Sequence, residues 1–553
     1  MRLYRDCRSR NMSSPVVSIV NGKVKGKVVE LKVEDATKVN VFRNIPYAKP
    51  PTGKLRFMPP EPACSWEGIR DGITPGNLPM YSTLYDEMMN KYFPTPDQYD
   101  SEQVLSEDCL HVSVYTPSLD EGKKLPVMVY LYGGGFFSGS ERPYEGSALA
   151  GMNDVVVVVP NYRVGVFGFL SLGPSSICSG NAGLLDQQLA LKWVKENIEF
   201  FGGDGNNVTI FGESAGSVSV EMQLMSPLAR GLFNKAISHS GTSNMAGLIP
   251  DADKTIKMKN KFLEYLKIDE KVDSKIVEAL QKIPVNDLMA AMLKLMELEV
   301  SFQPCYDGKV FPKSHEDMMK DAKFSKIPYI IGCNNTEGCG LLSCLGSPNF
   351  AQGITEEELN NMPFLVVTEE GLQKCKEHYI KNDKDEKRFS KLVGDIVGDS
   401  MFVSKAIQAA SAYSAGEAPV YLYYGCFQLQ MFQDEEYGPE VSKKPNWCLC
   451  DHGDDIFMTF GWPFSPFALT SGAKFTKDEE EISRKFMTYL TNFARTGDPN
   501  KGKSVDVDWP RYKPKGEHLV VDKTFSVGKN LAEKEVDFWD NVMPPYMKNR
   551  SVE

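Results

Sequence analysis

The stretch Val208-Thr209-Ile210-Phe211-Gly212-Glu213-Ser214-Ala215-Gly216 decides the fold of this chain. Its first four residues are β-branched or aromatic and predict a short buried strand. The residues after Gly216 can start a helix, so Ser214 lies on a sharp turn that the small residues Gly212 and Gly216 allow to close. This context favours a serine raised above the end of a sheet, with the N–H of Ala215 directed at the same space, over a glycine-flanked serine in an ordinary loop.

A second glycine-rich turn follows another predicted strand. Residues 125–132 are mostly apolar and lead directly into Gly133-Gly134-Gly135. The backbone N–H groups of glycines can approach a developing negative charge closely, because no Cβ stands beside them, and a serine nucleophile needs such donors. The alternatives are a flexible loop and a phosphate-binding loop. The spacing is not Gly-x-Gly-x-x-Gly, however, and Phe136-Phe137 would crowd a phosphate.

A serine nucleophile also needs a histidine base, and the chain has only six histidines. The chain order of α/β-hydrolases is nucleophile, acid, histidine, which excludes His111. His452 lies in a polar loop that contains a glycine and is the favoured candidate, whereas His239 follows a predicted strand and is expected in the core. The remaining three stand among lysines and acids and are expected at the surface: His315, His378 and His518.

The acid that orients the histidine should follow a strand between the serine and His452. Glu337 comes after the predicted strand at 328–332, and Asp307 competes with it, although the Asp307-Gly308 pair is typical of a turn. The residues alone leave both candidates open. Because the base must be neutral, the ordinary pKa of histidine predicts that activity is lost below about pH 6–7.

Several further motifs, taken together, resemble the type-B carboxylesterases, the carboxylesterase/cholinesterase group of α/β-hydrolases. The resemblance extends from about Val16 to about Trp539 and covers nearly the whole chain. Besides the serine motif, the matching stretches are 42–48, 107–110, 161–165, 180–188, 337–338 and 452–453.

The resemblance implies specific roles for residues of this chain. It implies Ser214 as nucleophile, His452 as base and Glu337 as acid. It implies three backbone donors for the oxyanion, which are those of Gly134, Gly135 and Ala215. It also implies two structural ion pairs, Arg56 with Glu107 and Arg163 with Asp186.

The resemblance and the pattern of elements both favour an α/β-hydrolase fold, with a large, mostly parallel central sheet flanked by helices. Val155–Val159 is typical of a buried parallel strand, Asn21-Gly22 predicts a hairpin, and the capping box that begins at Thr476 predicts a late helix. Helix-rich insertions at 250–300 and 340–415 are expected to form a lid over the active site. We expect a flexible segment at 1–15, a single domain at 16–545 and a tail at 546–553.

The cysteines depart from the pattern of the exported members that the chain resembles. Those members pair the cysteine equivalent to Cys109 with one about 27 residues upstream, where this chain has none, so that Cys64 is the nearest earlier candidate. No cysteine occurs between Cys178 and Cys305, where a second bridge would fall. The first ten residues lack the apolar segment of a signal peptide. These features predict free thiols and a cytoplasmic protein.

Composition excludes several classes of partner. A net charge of −11 argues against nucleic acid, and no apolar run reaches the length of a membrane span. No metal or other cofactor is expected, because the chain has no ligand spacing that suggests one. Cys448-Leu449-Cys450 is interpreted as two ordinary thiols beside the His452 loop. The expected partner is a small-molecule or lipid ester.

The chain is therefore expected to be a serine hydrolase that cleaves carboxylic esters through an acyl-enzyme intermediate. Two alternatives are a lipid-ester or acyl-thioester hydrolase with the same triad, and a non-catalytic binding protein of the same fold. Cholinesterase activity is not expected, because no tryptophan lies between Trp66 and Trp193, and Tyr99 is only a partial substitute for the choline-binding ring.

Overall fold

The computed structural model describes residues 14–548 of the chain, apart from thirteen short gaps. The residues inside these gaps are 32, 34–36, 83–103, 246–247, 250–251, 298–300, 321–325, 341–349, 363–364, 382, 440, 467–471 and 514–515. Most of the segment expected at 1–15 and the last five residues therefore lie outside the described residues, as does Tyr99.

The strands alternate with helices along the chain. They are β1 Val16–Ile19, β2 Gly22–Lys25, β3 Lys27–Glu30, β4 Lys38–Pro46, β5 Ile69–Asp71, β6 His111–Thr116, β7 Leu125–Leu131, β8 Val156–Pro160, β9 Gly203–Glu213, β10 Lys235–His239, β11 Tyr329–Asn334, β12 Val420–Gly425, β13 His518–Val521 and β14 Ser526–Gly528.

The α-helices are α1 Ser147–Asn153, α2 Gly165–Phe169, α3 Ala182–Asn197, α4 Ala215–Met225, α5 Ala252–Tyr265, α6 Asp273–Lys282, α7 Val285–Met296, α8 His315–Lys320, α9 Glu356–Asn360, α10 Glu369–Cys375, α11 Arg388–Val397, α12 Ser404–Ser414, α13 Asp454–Thr459, α14 Lys477–Thr496 and α15 Glu533–Asp537. Short 3₁₀ turns and three π-helical turns, Lys376–Ile380, Gly398–Val403 and Phe538–Val542, complete the secondary structure.

Eleven of the strands form one twisted sheet in the order β14-β13-β12-β11-β10-β9-β7-β8-β6-β4-β3. The seven strands from β13 to β8 run parallel, and the outer strands at both edges are antiparallel. A separate small sheet has the order β1-β2-β5. The large, mostly parallel sheet flanked by helices confirms the predicted fold class.

The central strands are buried on both faces, as parallel strands covered by helices must be. Along β7, Val127 and Val129 belong to the apolar cluster on one face, and Met128 and Tyr130 belong to the cluster on the other. This alternation follows from the two-residue period of a strand. It also explains why the sequence of β7 is a continuous apolar run.

Local sequence signals correspond closely to the observed elements. Thr476 and Glu479 form the predicted capping box at the start of α14, and Gly497 ends that helix with a φ of 79°. The hairpin predicted at Asn21-Gly22 is present, but its second strand ends at Lys25. The following strand leaves the small sheet and pairs with β4 in the large one.

Both helical insertions border the turns that carry the predicted site. Helices α5 to α7 contribute Phe262 and Met292 to an apolar cluster that also contains Phe136 and Ala215. Helix α11 lies against the turn that contains Glu337, since a Cβ on Gly338 would come within 2.3 Å of a backbone oxygen of that helix. Near the C-terminus, the N–H of Lys548 donates to the carbonyl at position 366.

The two ion pairs implied by the resemblance are both present. The guanidinium of Arg163 binds Asp186 through two hydrogen bonds of 2.7 Å, and both side chains are buried. Arg56 binds Glu107 through two hydrogen bonds of 2.6 Å and also donates to the carbonyl of Ile283. The first pair joins the segment after β8 to α3, and the second holds three distant segments together.

Neither Cys64 nor Cys109 takes part in a disulfide. Cys64 is exposed, whereas Cys109 is buried in the apolar cluster that contains Val129. The segment after Ser214, where the second family bridge would fall, contains no cysteine before Cys305. Within the described residues, no helix combines the length and the apolar character that crossing a bilayer requires.

We expect the substitution Asp186→Asn to lower the free energy of unfolding by about 3–5 kcal/mol, because it leaves the buried charge of Arg163 uncompensated. Chemical denaturation followed by fluorescence measures the loss. The matched control is Glu61→Gln, which removes the exposed ion pair with Lys49. The control should unfold at the wild-type denaturant concentration, and an unchanged midpoint for Asp186→Asn would show that the buried pair does not stabilise the fold.

Candidate active site

Residues that follow four parallel strands meet at one edge of the large sheet. Gly133 comes shortly after β7, Ser214 follows β9, Ser240 follows β10 and Glu337 comes shortly after β11. Because these strands are parallel, their carboxyl ends lie at the same edge, which is where α/β sheets form their sites. The topology therefore assembles residues that are up to two hundred positions apart.

The backbone of Ser214 has φ 56° and ψ −125°, a conformation that non-glycine residues rarely adopt. The turn needs glycine on both sides. A Cβ on Gly212 would lie 2.5 Å from backbone atoms of Gly216, and one on Gly216 would lie 1.9 Å from the carbonyl oxygen of Leu131. The N–H of Ser214 donates to the carbonyl of His239 at 3.0 Å, which fixes the turn against the neighbouring strand.

The glycine turn after β7 packs directly against this serine. A Cβ on Gly133 would lie 2.9 Å from the Cβ of Ser214. Gly134 and Gly135 have φ values of 111° and 62°, which favour glycine. Within the described part of the chain, no protein atom accepts a hydrogen bond from the N–H groups of Gly134, Gly135 or Ala215. These donors are free to bind a ligand oxygen.

His452 and Glu337 form a buried hydrogen-bonded pair. The Nδ1 atom of His452 lies 2.7 Å from Oε2 of Glu337. The other carboxylate oxygen, Oε1, accepts from the N–H of Asn334 at 2.6 Å and from the hydroxyl of Ser240 at 2.5 Å. Glu337 is fully buried, so these contacts fix its orientation and that of the imidazole.

The turn that carries His452 is itself held by a carboxylate. Oδ1 of Asp451 accepts from the N–H of His452 at 2.8 Å, and the carbonyl of Asp451 accepts from the N–H of Asp454 at 3.0 Å. The ring of Phe402 lies 4.6 Å from the imidazole, centroid to centroid. The imidazole is therefore positioned by packing as well as by its hydrogen bond to Glu337.

The second nitrogen of the imidazole faces a residue that the sequence analysis did not select. Nε2 of His452 lies 3.0 Å from Oε1 of Glu213, the residue directly before Ser214. The contact lacks hydrogen-bond geometry, and no hydrogen bond joins Nε2 to the hydroxyl of Ser214, although both residues are described. Catalytic hydrogen bonds are often loose without substrate and tighten when it binds.

The carboxylates of Glu213 and Glu337 change the pKa of His452. Burial alone would lower the pKa of His452, but Glu213 and Glu337 outweigh it and raise the pKa to about 9. Burial raises the pKa of Glu213 to about 7, with His452 opposing the rise. An imidazole between two buried carboxylates is stabilised in its charged form, so the acid limb of activity is expected at a higher pH than the ordinary histidine pKa predicts.

The other histidines are packed or outside the site. His239 is buried, with Nδ1 2.7 Å from the hydroxyl of Tyr423, as expected for a core histidine. His518 was expected at the surface and is buried in β13. His378 is partly buried and stacks on the ring of Phe538 at 4.1 Å. The side chain of His315 lies outside the described residues.

Asp307, the competing candidate for the acid, stabilises the turn in which it lies. Its Oδ1 accepts from the N–H groups of Lys309 and Phe311 at 3.0 and 2.9 Å. This is the turn that the Asp-Gly pair indicates. The structure brings Glu337, and not Asp307, to the imidazole.

Three residues of the site were missed by the sequence analysis: Glu213, Ser240 and Asn334. Glu213 stands inside the quoted motif, but nothing in the motif shows which way its side chain points. Ser240 follows β10 and Asn334 is the last residue of β11, and the ends of these strands meet only after the sheet has formed. The signal for both in the sequence is a polar residue at or just after the end of a predicted strand.

Among the described residues, one group of side chains has the geometry to hold a metal ion. It consists of Cys339, Cys448 and Asp451, whose ligand atoms lie within 4.8 Å of one another. Asp451 already has a cation beside it, since Nζ of the buried Lys444 lies 3.0 Å from its Oδ2. The group borders the His452 turn and does not include Ser214.

Comparison with known proteins agrees with the geometry. The family model described as "Carboxylesterase family" matches residues 13–539. This range covers every residue of the site described above.

Similar proteins extend over almost the whole chain. A protein of Anas platyrhynchos named fatty acyl-CoA hydrolase precursor, medium chain, is 35% identical over 97% of this chain and 94% of its own length. Carboxylesterase 5A of Homo sapiens is 36% identical over 95% of this chain and 88% of its own length. Carboxylesterase 1D of Rattus norvegicus is 34% identical over 96% of this chain and 93% of its own length.

We expect Glu213→Gln to move the acid limb of the pH profile of kcat/KM to lower pH, by about 1 unit or more. As the candidate base, His452 must be neutral to accept a proton, so activity is expected to fall as the pH falls through the pKa of His452. Removing the charge of Glu213 lowers that pKa. Initial rates of ester hydrolysis between pH 5 and 10 measure the shift, with Glu61→Gln as the remote control. An unchanged acid limb would mean that Glu213 does not influence the base.

Proposed function

The chain belongs to the carboxylesterase family and is a carboxylic-ester hydrolase, and from this premise we propose that Ser214, His452 and Glu337 are its catalytic triad. The observation that carries the proposal is the His452–Glu337 pair beside the strained turn of Ser214. Glu213 joins the two parts, because it precedes the serine and contacts the imidazole. We also propose that residues 16–545 form one domain, since the large sheet takes strands from β3 to β14.

In the proposed acylation step, the hydroxyl of Ser214 attacks the ester carbonyl while Nε2 of His452 takes its proton. This requires the imidazole to exchange its contact with Glu213 for one with Ser214 when substrate enters. The N–H groups of Gly134, Gly135 and Ala215 bind the negative charge that develops on the carbonyl oxygen. Glu337 holds the imidazolium through Nδ1 at 2.7 Å.

In the proposed second half of the reaction, the protonated His452 gives its proton to the leaving alcohol, and the acyl group stays on Ser214. Water then attacks the acyl-enzyme with His452 again as the base. Glu213 would stabilise the imidazolium in the state in which it contacts Nε2, because a carboxylate at 3.0 Å favours the charged form of the ring. This role is separate from that of Glu337, which fixes the orientation of the ring.

Acyl-thioester hydrolysis is the second candidate. The triad does not distinguish an alcohol from a thiol leaving group, and one similar protein is named a fatty acyl-CoA hydrolase. The two functions are separated by measuring kcat/KM of the purified protein on esters and on acyl thioesters of graded chain length. A higher kcat/KM on thioesters at every chain length would favour the second candidate.

We propose that the protein acts in a reducing compartment, the cytoplasm. The support is the absence of both family bridges from the sequence, together with the free state of Cys64 and Cys109. We expect all twelve cysteines to react with a thiol reagent in denatured protein that has not been reduced or exposed to oxidant. A Cys64–Cys109 bridge in that experiment would argue for an exported protein.

We expect an organophosphate to label Ser214 stoichiometrically, because the proposed oxyanion donors also fit a tetrahedral phosphoryl group. Mass spectrometry of peptides locates the adduct. Ser214→Ala should lower kcat by roughly 10³-fold or more while the protein stays folded. The neighbouring hydroxyl provides the control, since Ser217→Ala should still be labelled. An adduct on a different serine would reject the proposed nucleophile.

We expect Glu337→Gln to lower kcat strongly, by roughly 10²-fold or more, since a neutral amide no longer stabilises the imidazolium. Asp307→Asn is the matched acid-to-amide control and should keep most of the activity, because it affects only a turn. Steady-state kinetics on one ester compares the two variants. If Asp307→Asn proves the more damaging substitution, Glu337 is not the acid.

A further inference from the structure

The two turns that carry the proposed acid and base are joined by several hydrogen bonds. We call residues 335–340 the acid turn and residues 445–453 the base turn. The N–H and the hydroxyl of Thr336 both donate to the carbonyl of Cys450, at 3.0 and 2.9 Å. The hydroxyl also accepts from the N–H of Leu449 at 3.1 Å, and Asn335 accepts from the N–H of Cys450 at 3.0 Å. A movement of one turn is therefore transmitted to the other.

Two cysteine thiols lie across the same contact. Cys339 belongs to the acid turn and Cys448 to the base turn, and neither takes part in a disulfide. Their sulfur atoms lie within 4.8 Å of each other. Cys339 is two residues from Glu337, and Cys448 is four residues from His452. The two cysteines are therefore close in sequence to the proposed acid and base.

The surroundings favour a thiol pair over a metal site. Asp451 is the third possible ligand of the cluster, but its Oδ2 lies 3.0 Å from Nζ of Lys444. Nζ of Lys444 also lies 2.8 Å from Oδ1 of Asp454. A divalent cation would have to displace this buried ammonium group, and two thiols with one carboxylate fall short of the four ligands typical of zinc.

A cavity gives small molecules access to one of the two sulfurs. The cavity has a volume of about 180 Å³ and is lined by Cys339, Thr336 and Trp447 on its inner side. Asp395 and Lys391 also line it, and both have solvent-accessible side chains, so the cavity opens to solvent. Its volume is ample for a molecule the size of hydrogen peroxide.

We propose that Cys339 and Cys448 form an oxidation site, at which a hydroperoxide closes a disulfide between the acid turn and the base turn. The sulfur of Cys339 attacks the peroxide and breaks its O–O bond, which gives a sulfenic acid and, from hydrogen peroxide, one water. The sulfur of Cys448 then attacks the sulfenic sulfur and releases the second water. The two thiols lose two electrons and two protons, and the peroxide is reduced by two electrons.

The reaction is slow, because burial raises the pKa of both thiols and the thiolate is the reactive form. The carboxylate of Asp451 raises both pKa values further, and the ammonium of Lys444 opposes it. Cys64 is exposed and takes part in no disulfide, so it provides a comparison.

Closing the disulfide would disturb the proposed triad, and this consequence rests on the proposed function. A disulfide has a sulfur–sulfur distance of about 2.05 Å, so the sulfurs must approach by up to roughly 2.7 Å. The acid and base turns must shift to allow it. Because an error of about 1 Å in the position of a catalytic group can cost roughly 10²-fold in rate, oxidation lowers kcat.

The test uses the intact reduced protein, treated with hydrogen peroxide, alkylated and digested. We expect a cross-linked peptide pair that contains Cys339 and Cys448 and has lost two hydrogen atoms. The value of kcat on an aryl ester should fall at least about 10-fold, and a dithiol reductant should restore it. Cys339→Ala should retain its activity through the same treatment, whereas Cys64→Ala, the matched control, should lose activity as the wild type does.

The cross-link and the activity are measured separately, and each tests the proposal. If both cysteines are still alkylated after activity has been lost, or if Cys339→Ala is inactivated like the wild type, the proposal is overturned. A cross-link that leaves kcat unchanged overturns the link to catalysis. Because the cross-link is measured by mass, a failure of Ser214 as the nucleophile would be seen separately, in the organophosphate labelling.

Discussion

The backbone conformation of Ser214 is the constraint on which the rest of the site depends. A non-glycine residue at φ 56° and ψ −125° costs on the order of 1–3 kcal/mol and persists only where its surroundings fix it. Here the surroundings are the carbonyl of Leu131, which lies so close to Gly216 that no Cβ fits, and the hydrogen bond from Ser214 to His239. Both contacts need β7, β9 and β10 to be paired first. The strained serine therefore exists only in the assembled sheet.

The charges around His452 determine the pH range in which its imidazole is neutral. Two buried carboxylates make the imidazole a stronger base, but they also reduce the fraction that is neutral at pH 7. Glu213 has a raised pKa of about 7, so near neutral pH it can take up a proton and weaken its hold on the imidazole. Glu337 is held by Asn334 and Ser240 and stays in place. The two acids thus differ in how firmly they are held, which fits the separate roles proposed for them in orienting the ring and in exchanging with Ser214.

Sequence reasoning reached the fold and the core of the candidate site because their signals are local. Continuous apolar runs marked β7 and β8, a capping box marked α14, and the Gly-x-Ser-x-Gly pattern marked the turn of Ser214. The contact between Glu213 and His452 joins positions 239 residues apart, and no local pattern encodes the direction of the Glu213 side chain. His518 was misplaced for a related reason: the residues just before it are mostly polar, but β13 pairs with β12 and β14, and His518 is buried. Long-range pairing decides burial where the local pattern is mixed.

The environment of Cys109 shows how this chain holds a segment that its exported relatives were expected to hold with a disulfide. Burial raises the pKa of the Cys109 thiol, so the sulfur is both inaccessible and unreactive. Two residues earlier, Glu107 binds Arg56 through two short hydrogen bonds, and Arg56 also donates to the carbonyl of Ile283. The segment is thus fixed by a charged pair that reaches a third part of the chain, which a bridge between two cysteines would not do. Such an attachment does not depend on the redox state of the surroundings.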